Sequence, residues 1–451
     1  MTRVASDDEA GAVVRPHGVM RADVPDGTSS TTSTKDEKTV SDGAGFVSID
    51  DLRAAWVALV ERQTERHKQP PVGIDGVRGE AFATKLDWNL AELNRVLNRR
   101  DEAGHLTYRF APWLVRQLTP GGRSVYVPRV RDQLVLRVMA QQISQKMAAR
   151  GISRGPPSQE HCARVLRLQL KRHGAWFFRA DIKRFYENAP RATVLTDLAA
   201  IGCTADLIGL VAGLFETPAR PPFSRRGDEV EVNGYPAGLS VSSLLAELVL
   251  ARVDTALRAI GVVHLRYVDD ILVIAANEEH AAAAESALVS AVEELKLCLS
   301  TTKTTRGPLA DGVAFLGLNA GRGGVRLSSV RVERWLAVRQ RELREKVLLT
   351  AKAEPPDARR ILADLIANWN AELTGARGRL VAVAAAADDR ETLSQVDRIL
   401  RMMLAGVMRR LDVQPTGPFR LVSAEVWGHR WRCSPRATRL LAVRRFAPAQ
   451  P

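Results

Sequence analysis

The alternation of apolar and polar positions divides the chain into four stretches. Residues 1–44 are rich in Ser, Thr, Gly, Asp and Lys. The run DGTSSTTSTKDEKTVSDGAG has almost nothing to bury, which predicts a disordered tail. Order is expected from Phe46, with Ser48 or Asp50 as N-cap of a helix over DLRAAWVALVERQ. A turn-rich stretch at 70–77 leads into AFATKLDWNLAELNRVLNRR, whose apolar residues fall at helical spacing. Tyr108-Arg109-Phe110 and 124–128 predict short strands around the turn Pro120-Gly121-Gly122-Arg123, and a helix follows over 131–149. WFFRADI predicts a buried strand that ends on a carboxylate, Asp181. A helix over 240–260 has an apolar stripe of Leu244, Leu245, Leu248, Val249 and Val253. Residues 262–275 are apolar on both sides of Asp269-Asp270; a helix over 279–297 and a strand over 313–318 follow. Strand, helix, hairpin, helix, strand is an α+β order. From 327 onward the period is helical and the polar face basic, as in RVERWLAVRQRELREKVLLTAKA and SQVDRILRMMLAGVMRRL. The expected divisions are 1–44, 45–173, 174–326 and 327–451.

The length of 451 residues is enough for two or three domains, and 45% hydrophobic with 26% charged residues is a globular composition. The net charge of +14 favours a polyanionic partner, of which nucleic acid is the commonest, although a basic proteome would also explain it. The four cysteines, Cys162, Cys203, Cys298 and Cys433, are far apart and form no CxxC pair, which argues against a zinc site or a disulfide framework. A reducing, cytoplasmic setting is expected. No apolar run approaches the ~18 residues of a membrane span, and MTRVASDDEAGAVV has no apolar signal core, so neither membrane nor export is indicated.

Asp269 and Asp270 change the picture. They sit between two apolar strands, where a tight turn ordinarily takes Asn-Gly or Asp-Gly. Adjacent anions at a hairpin tip repel each other, and a divalent cation would remove that repulsion. An exposed acidic turn explains the charge but not the long apolar flanks. Asp181 ends another apolar strand; alone it reads as a helix N-cap, but with the pair it makes three carboxylates at strand ends. That set suits two-metal phosphoryl transfer, in which Mg²⁺ ions about 3.5–4 Å apart clamp the attacking and leaving oxygens.

Tyr267-Val268-Asp269-Asp270 resembles the YxDD motif of reverse transcriptases, and Phe178-Arg179-Ala180-Asp181-Ile182-Lys183-Arg184-Phe185-Tyr186 resembles the family's first palm motif. The resemblance implies metal binding by Asp181, Asp269 and Asp270 with two Mg²⁺ ions (Mn²⁺ as a substitute), and a steric gate at Tyr186 that favours dNTPs over rNTPs. Tyr235-Pro236-Ala237-Gly238-Leu239-Ser240-Val241-Ser242 resembles the next motif, with Gly238 and Ser242 at the nucleotide. Ala237 stands where that motif usually has Gln. Lys303 matches a Lys implied to act on the leaving pyrophosphate. Phe315-Leu316-Gly317-Leu318 resembles the hairpin that grips the primer, and Arg123 matches an Arg that meets the triphosphate; Arg131-Asp132 follows as in bacterial members. The resemblance covers about 70–320. It implies a right-hand polymerase: fingers within 45–173, a palm with a ferredoxin-like sheet at 174–326, and an all-α basic thumb and RNA-binding domain at 327–451.

The helix SSLLAELVLARVD looks most like the unassigned and abortive-infection bacterial enzymes, many of which act in antiphage defence. The expected function is RNA-directed DNA synthesis on an RNA template or a non-coding RNA, taking dNTPs and yielding DNA. Untemplated or protein-primed synthesis by the same site, and a non-catalytic RNA-binding module on this fold, are the alternatives. Trp427 and Trp431 are candidates for base stacking or for a packed core.

Overall fold

In the computed structural model, residues 45–67, 78–117, 124–153, 155–221, 227–374, 380–417 and 420–423 are described. The expectations for 1–44, for 70–77, for the 120–123 turn with Arg123, and for Trp427 and Trp431 lie outside them.

Among the described residues ten strands form three sheets: β1 (Trp113–Gln117), β2 (Ser124–Val127), β3 (Trp176–Asp181), β4 (Ala219–Arg220), β5 (Val263–Tyr267), β6 (Asp270–Ala275), β7 (Thr305–Pro308), β8 (Val313–Phe315), β9 (Leu318–Gly321) and β10 (Gly324–Leu327). The central sheet has the order β5-β6-β3-β7 and is antiparallel throughout. Helices between β3 and β5, and the Glu278–Glu294 helix between β6 and β7, make this a strand–helix–strand–strand–helix–strand unit of the split βαβ type.

Alternation along the strands gives this sheet two different faces. Phe178, Ala180, Ile271, Val273 and Ala275 pack in one core with the Ser242–Ile260, Glu278–Glu294 and Val130–Ala149 helices. Phe177, Leu265, Leu272 and Ile274 pack in a second core under the β8-β9-β10 sheet, the Gln159–Gln169 helix and the helices after Leu327. Those last helices are Ser329–Thr350, Pro355–Leu373, Leu380–Ala387 and Arg390–Arg410, and their buried residues Leu365, Trp369, Leu400 and Leu404 belong to that second core. The core therefore runs from the central sheet into the helical region.

Ser48 begins the first helix (Ile49–His67) with reciprocal bonds: its Oγ accepts from the Asp51 N–H at 3.1 Å while its own N–H donates to Asp51 Oδ2 at 3.1 Å. Two expectations need correction. Tyr108-Arg109-Phe110 is not a strand. The Tyr108 hydroxyl donates to buried Asp132 at 2.5 Å and the Ala111 N–H to the same carboxylate at 3.3 Å, and pairing with β2 starts only past Pro112, in β1. The helix over AFATKLDWNLAELNRVLNRR is two, Gly79–Ala83 and Leu86–Leu97, interrupted where Lys85 leaves helical conformation at φ −127°, ψ 41°. Among the described residues no helix is long and apolar enough to cross a membrane.

Candidate active site

The register of the central sheet builds the site. Asp181, the last residue of β3, lies directly opposite Asp270, the first of β6, and Tyr267 pairs with the same Asp270. Directly opposed residues share a face, so Asp181, Asp270 and Tyr267 stand at one end of the face whose other end is the apolar patch of Phe177, Leu272 and Ile274. Val268 and Asp269 form the hairpin loop, and the Asp269 carbonyl accepts from the Ile182 N–H at 3.0 Å, which ties the loop to the end of β3. The Asp181 carbonyl accepts from the Ser300 N–H at 2.7 Å, and the exposed Lys303 ammonium lies 2.9 Å from Asp181 Oδ2.

Asp270 differs from its neighbour. Arg179 Nε and Nη2 each donate to one of its oxygens at 3.0 Å, a bidentate pair, and Arg179 Nη1 donates to the Ala314 carbonyl in β8 at 2.6 Å. Arg179 thus links the second Asp of the pair to the following hairpin. Among the described residues no group of three or more His, Cys, Asp or Glu is arranged to hold a metal. The hard carboxylate oxygens of Asp181, Asp269 and Asp270 fit Mg²⁺, which keeps several waters and is completed by substrate phosphates. Asp270→Asn and Arg179→Met are each expected to cost about 1–2 kcal/mol of stability, and the double variant less than the sum. Chemical denaturation of the four proteins measures this; full additivity would contradict it.

Tyr186 is half-buried, its ring edge-on to Phe185 at 5.6 Å and 76°. Its carbonyl accepts from the Tyr235 N–H at 2.7 Å, so the segment after β3 is bonded to the 235–242 loop. Gly234 makes that approach possible: at φ +62° a Cβ there would stand 2.0 Å from the Tyr186 carbonyl oxygen. Gly238, at φ +96°, faces β2: a Cβ would meet Val125 Cβ at 3.1 Å, and the Tyr126 N–H donates to the Ala237 carbonyl at 2.9 Å. Ser242 opens its helix but is buried, its hydroxyl donating to the Pro236 carbonyl at 2.6 Å, so it fixes the loop from beneath. Phe315 is buried, and Leu316 (φ 50°) and Gly317 (φ 75°) form the tight turn between β8 and β9. The Leu316 carbonyl accepts from Gln159 Nε2 at 3.1 Å and the Gly317 carbonyl from the Ser328 N–H at 2.9 Å.

The sequence reading missed Gly234, Arg179 as a functional group, and Arg266. Arg266 is buried on β5, with Nε and Nη2 on Asp254 at 2.8 and 2.7 Å and Nη2 also on Glu247 at 2.8 Å. Burial alone would push the Asp254 carboxyl up, but Arg266 and His264 hold it well below the usual carboxylate range. Burial raises the Glu247 carboxyl despite Arg266. Glu247 and Asp254 are the acidic residues of SSLLAELVLARVD, and this ion cluster is what they build.

Residues 120–320 match the sequence family described as reverse transcriptase (RNA-dependent DNA polymerase). A reverse transcriptase domain is therefore present in the chain, and Asp181, the Tyr267–Asp270 motif and the Phe315–Gly317 turn all fall inside it. No curated protein matches the chain. Among solved structures, apo telomerase from Candida tropicalis, truncated from the C-terminal domain, is similar at 13% identity and a TM-score of 0.40 over 50% of this chain. Telomerase from Candida albicans, in complex with a fragment of telomeric RNA, gives 9% identity and a TM-score of 0.44 over 75% of this chain and 69% of that one. The chain spans about 56% of the length of the first of these.

Proposed function

We propose that the chain is an RNA-directed DNA polymerase, carrying its site at the paired ends of β3 and β6. The observation that supports this most is the register that sets Asp181 against Asp270 and ties Asp269 to Ile182, inside the matched family region. Asp181, Asp269 and Asp270 would hold two Mg²⁺ ions, or Mn²⁺ in their place, Asp270 by exchanging its Arg179 partner for a cation. Bound there, the ions would lower the pKa of a primer 3′-hydroxyl and neutralise the departing pyrophosphate. Lys303, beside Asp181, adds positive charge on the side where a leaving group would form. The Leu316-Gly317 turn would support the primer, and Arg179 connects it to the carboxylate end of the sheet through Ala314. The basic helices after 327 would contact an RNA template by its phosphates, without reading sequence.

In this reading 45–173 supplies the fingers, 174–326 the palm and 327–451 the thumb. Resemblance of the helix carrying Glu247 and Asp254 to defence-associated bacterial enzymes supports an antiphage role for the DNA made. Purified protein given Mg²⁺, dNTPs and its co-purifying RNA is expected to yield labelled DNA; absence of product under Mg²⁺ and Mn²⁺ alike would count against the proposal. Tyr186 is the sugar gate in this reading. Tyr186→Val is therefore expected to raise rNTP incorporation relative to dNTP by about tenfold or more, read as a ratio of single-nucleotide kcat/KM values. An unchanged ratio would remove Tyr186 from that role.

A further inference from the structure

The loop that carries Asp269 is strained. Val268 sits at φ 56°, a left-handed conformation that a β-branched residue rarely adopts. The geometry demands it, because only Val268 and Asp269 separate the paired Tyr267 and Asp270, and such short loops need positive φ. Gly or Asn would adopt that conformation easily; Val holds it only if its surroundings do the holding. Two contacts lie against the loop backbone. One is the Ile182 N–H on the Asp269 carbonyl at 3.0 Å. The other is Arg266 Nη1 on the Val268 carbonyl at 3.4 Å.

Arg266 is well placed to hold it. The residue is 5% exposed, and its guanidinium forks onto both oxygens of Asp254 and onto Glu247. Asp254 also meets His264 Nε2 at 3.3 Å. Both carboxylates come from the Ser242–Ile260 helix, whose first turn is bonded to the 236–241 loop by Ser242. An ion cluster this deep is no more stabilising than a well-packed apolar one, so its presence points to a geometric task. The task in reach is the carbonyl one residue before Asp269.

We propose that Arg266, clamped by Glu247 and Asp254, is a positioning residue that holds the Val268 carbonyl, and with it the left-handed loop that sets where Asp269 stands. The consequence for catalysis rests on the polymerase reading above; the holding of the loop does not.

The test uses the full chain and two ways of removing the grip. Arg266→Lys keeps the charge but lacks the planar fork that serves two carboxylates and a carbonyl at once. The triple variant Glu247→Gln, Asp254→Asn, Arg266→Met removes the charges together, and serves if the single one fails to fold. Each is made with Val268 and with Val268→Gly, where the loop needs no restraint. Amide hydrogen exchange over 264–272, without metal, reports the loop, and single-nucleotide incorporation reports its consequence. With Val268 present, loss of the grip is expected to speed exchange in the loop about tenfold, and to lower kcat about tenfold with KM within about twofold. With Val268→Gly both effects are expected to shrink to about twofold or less. Equal losses in the two backgrounds would overturn the proposal, as would faster exchange along the Ser242–Ile260 helix with the loop unchanged. If the parent protein makes no DNA, the polymerase reading fails while the exchange measurements still decide the role of Arg266.

Discussion

Asp269→Asn is expected to lower dNTP incorporation by about 10³-fold, because the loss of one carboxylate from the proposed cation site removes about 4 kcal/mol of transition-state stabilisation. Asp270 has both of its oxygens on Arg179 at 3.0 Å, so it takes a ligand's place only by giving up that bidentate pair. Asp181 keeps an exposed ammonium, Lys303, as its partner, which yields to a divalent cation more readily than a planar guanidinium fork does. Asp269→Asn should therefore spare primer and template binding while abolishing turnover. Asp270→Asn should act chiefly through stability and the setting of the Leu316-Gly317 turn. Equal catalytic losses for the two, at unchanged stability, would make Asp270 as strong a cation ligand as Asp269.

Gly234→Ala is expected to cost more than about 3 kcal/mol of stability, the largest effect of any single methyl added near the site. The methyl would stand 2.0 Å from the Tyr186 carbonyl oxygen and 2.7 Å from Glu187 backbone atoms, at φ +62°. Backbone cannot turn aside as a side-chain rotamer can, so either the 234–235 segment or the 186–187 segment must move. Either movement breaks the Tyr235 N–H bond to the Tyr186 carbonyl and displaces Tyr186. Gly261→Ala is the control. It also has positive φ, +79°, but nothing lies within 4 Å of the added Cβ, so its cost should be about 1 kcal/mol. Urea denaturation of the two variants gives the comparison. A Gly234→Ala protein as stable as Gly261→Ala would mean that the close approach of the two segments is wrong.

What the sequence revealed follows from what local pattern can encode. Strands that end on Asp181 and start at Asp270 are legible because apolar runs stop at carboxylates, and a hairpin with two acidic residues at its tip has few physical uses. The bidentate clip of Arg179 on Asp270 is not legible, because it exists only once β3 and β6 are paired in one register. The same holds for Arg266, whose partners Glu247 and Asp254 look like ordinary polar positions of a helix until the sheet is laid against it. Tyr108-Arg109-Phe110 alternates like a strand, yet the alternation serves a buried carboxylate, Asp132. The Leu380–Ala387 helix is buried at every position, so it has no amphipathic contrast to detect. Gly234 carries no mark at all in sequence; only the Tyr186 carbonyl beside it explains why a side chain is excluded.

The proposed reaction is the copying of RNA into DNA at these carboxylates. Sequencing the DNA made by the purified protein from a defined RNA, with Mg²⁺ and dNTPs, tests it most directly. Product complementary to that RNA is expected, with about 10³-fold less from Asp269→Asn. Product unrelated to the supplied RNA, or product of equal yield from the Asp269→Asn protein, would contradict it.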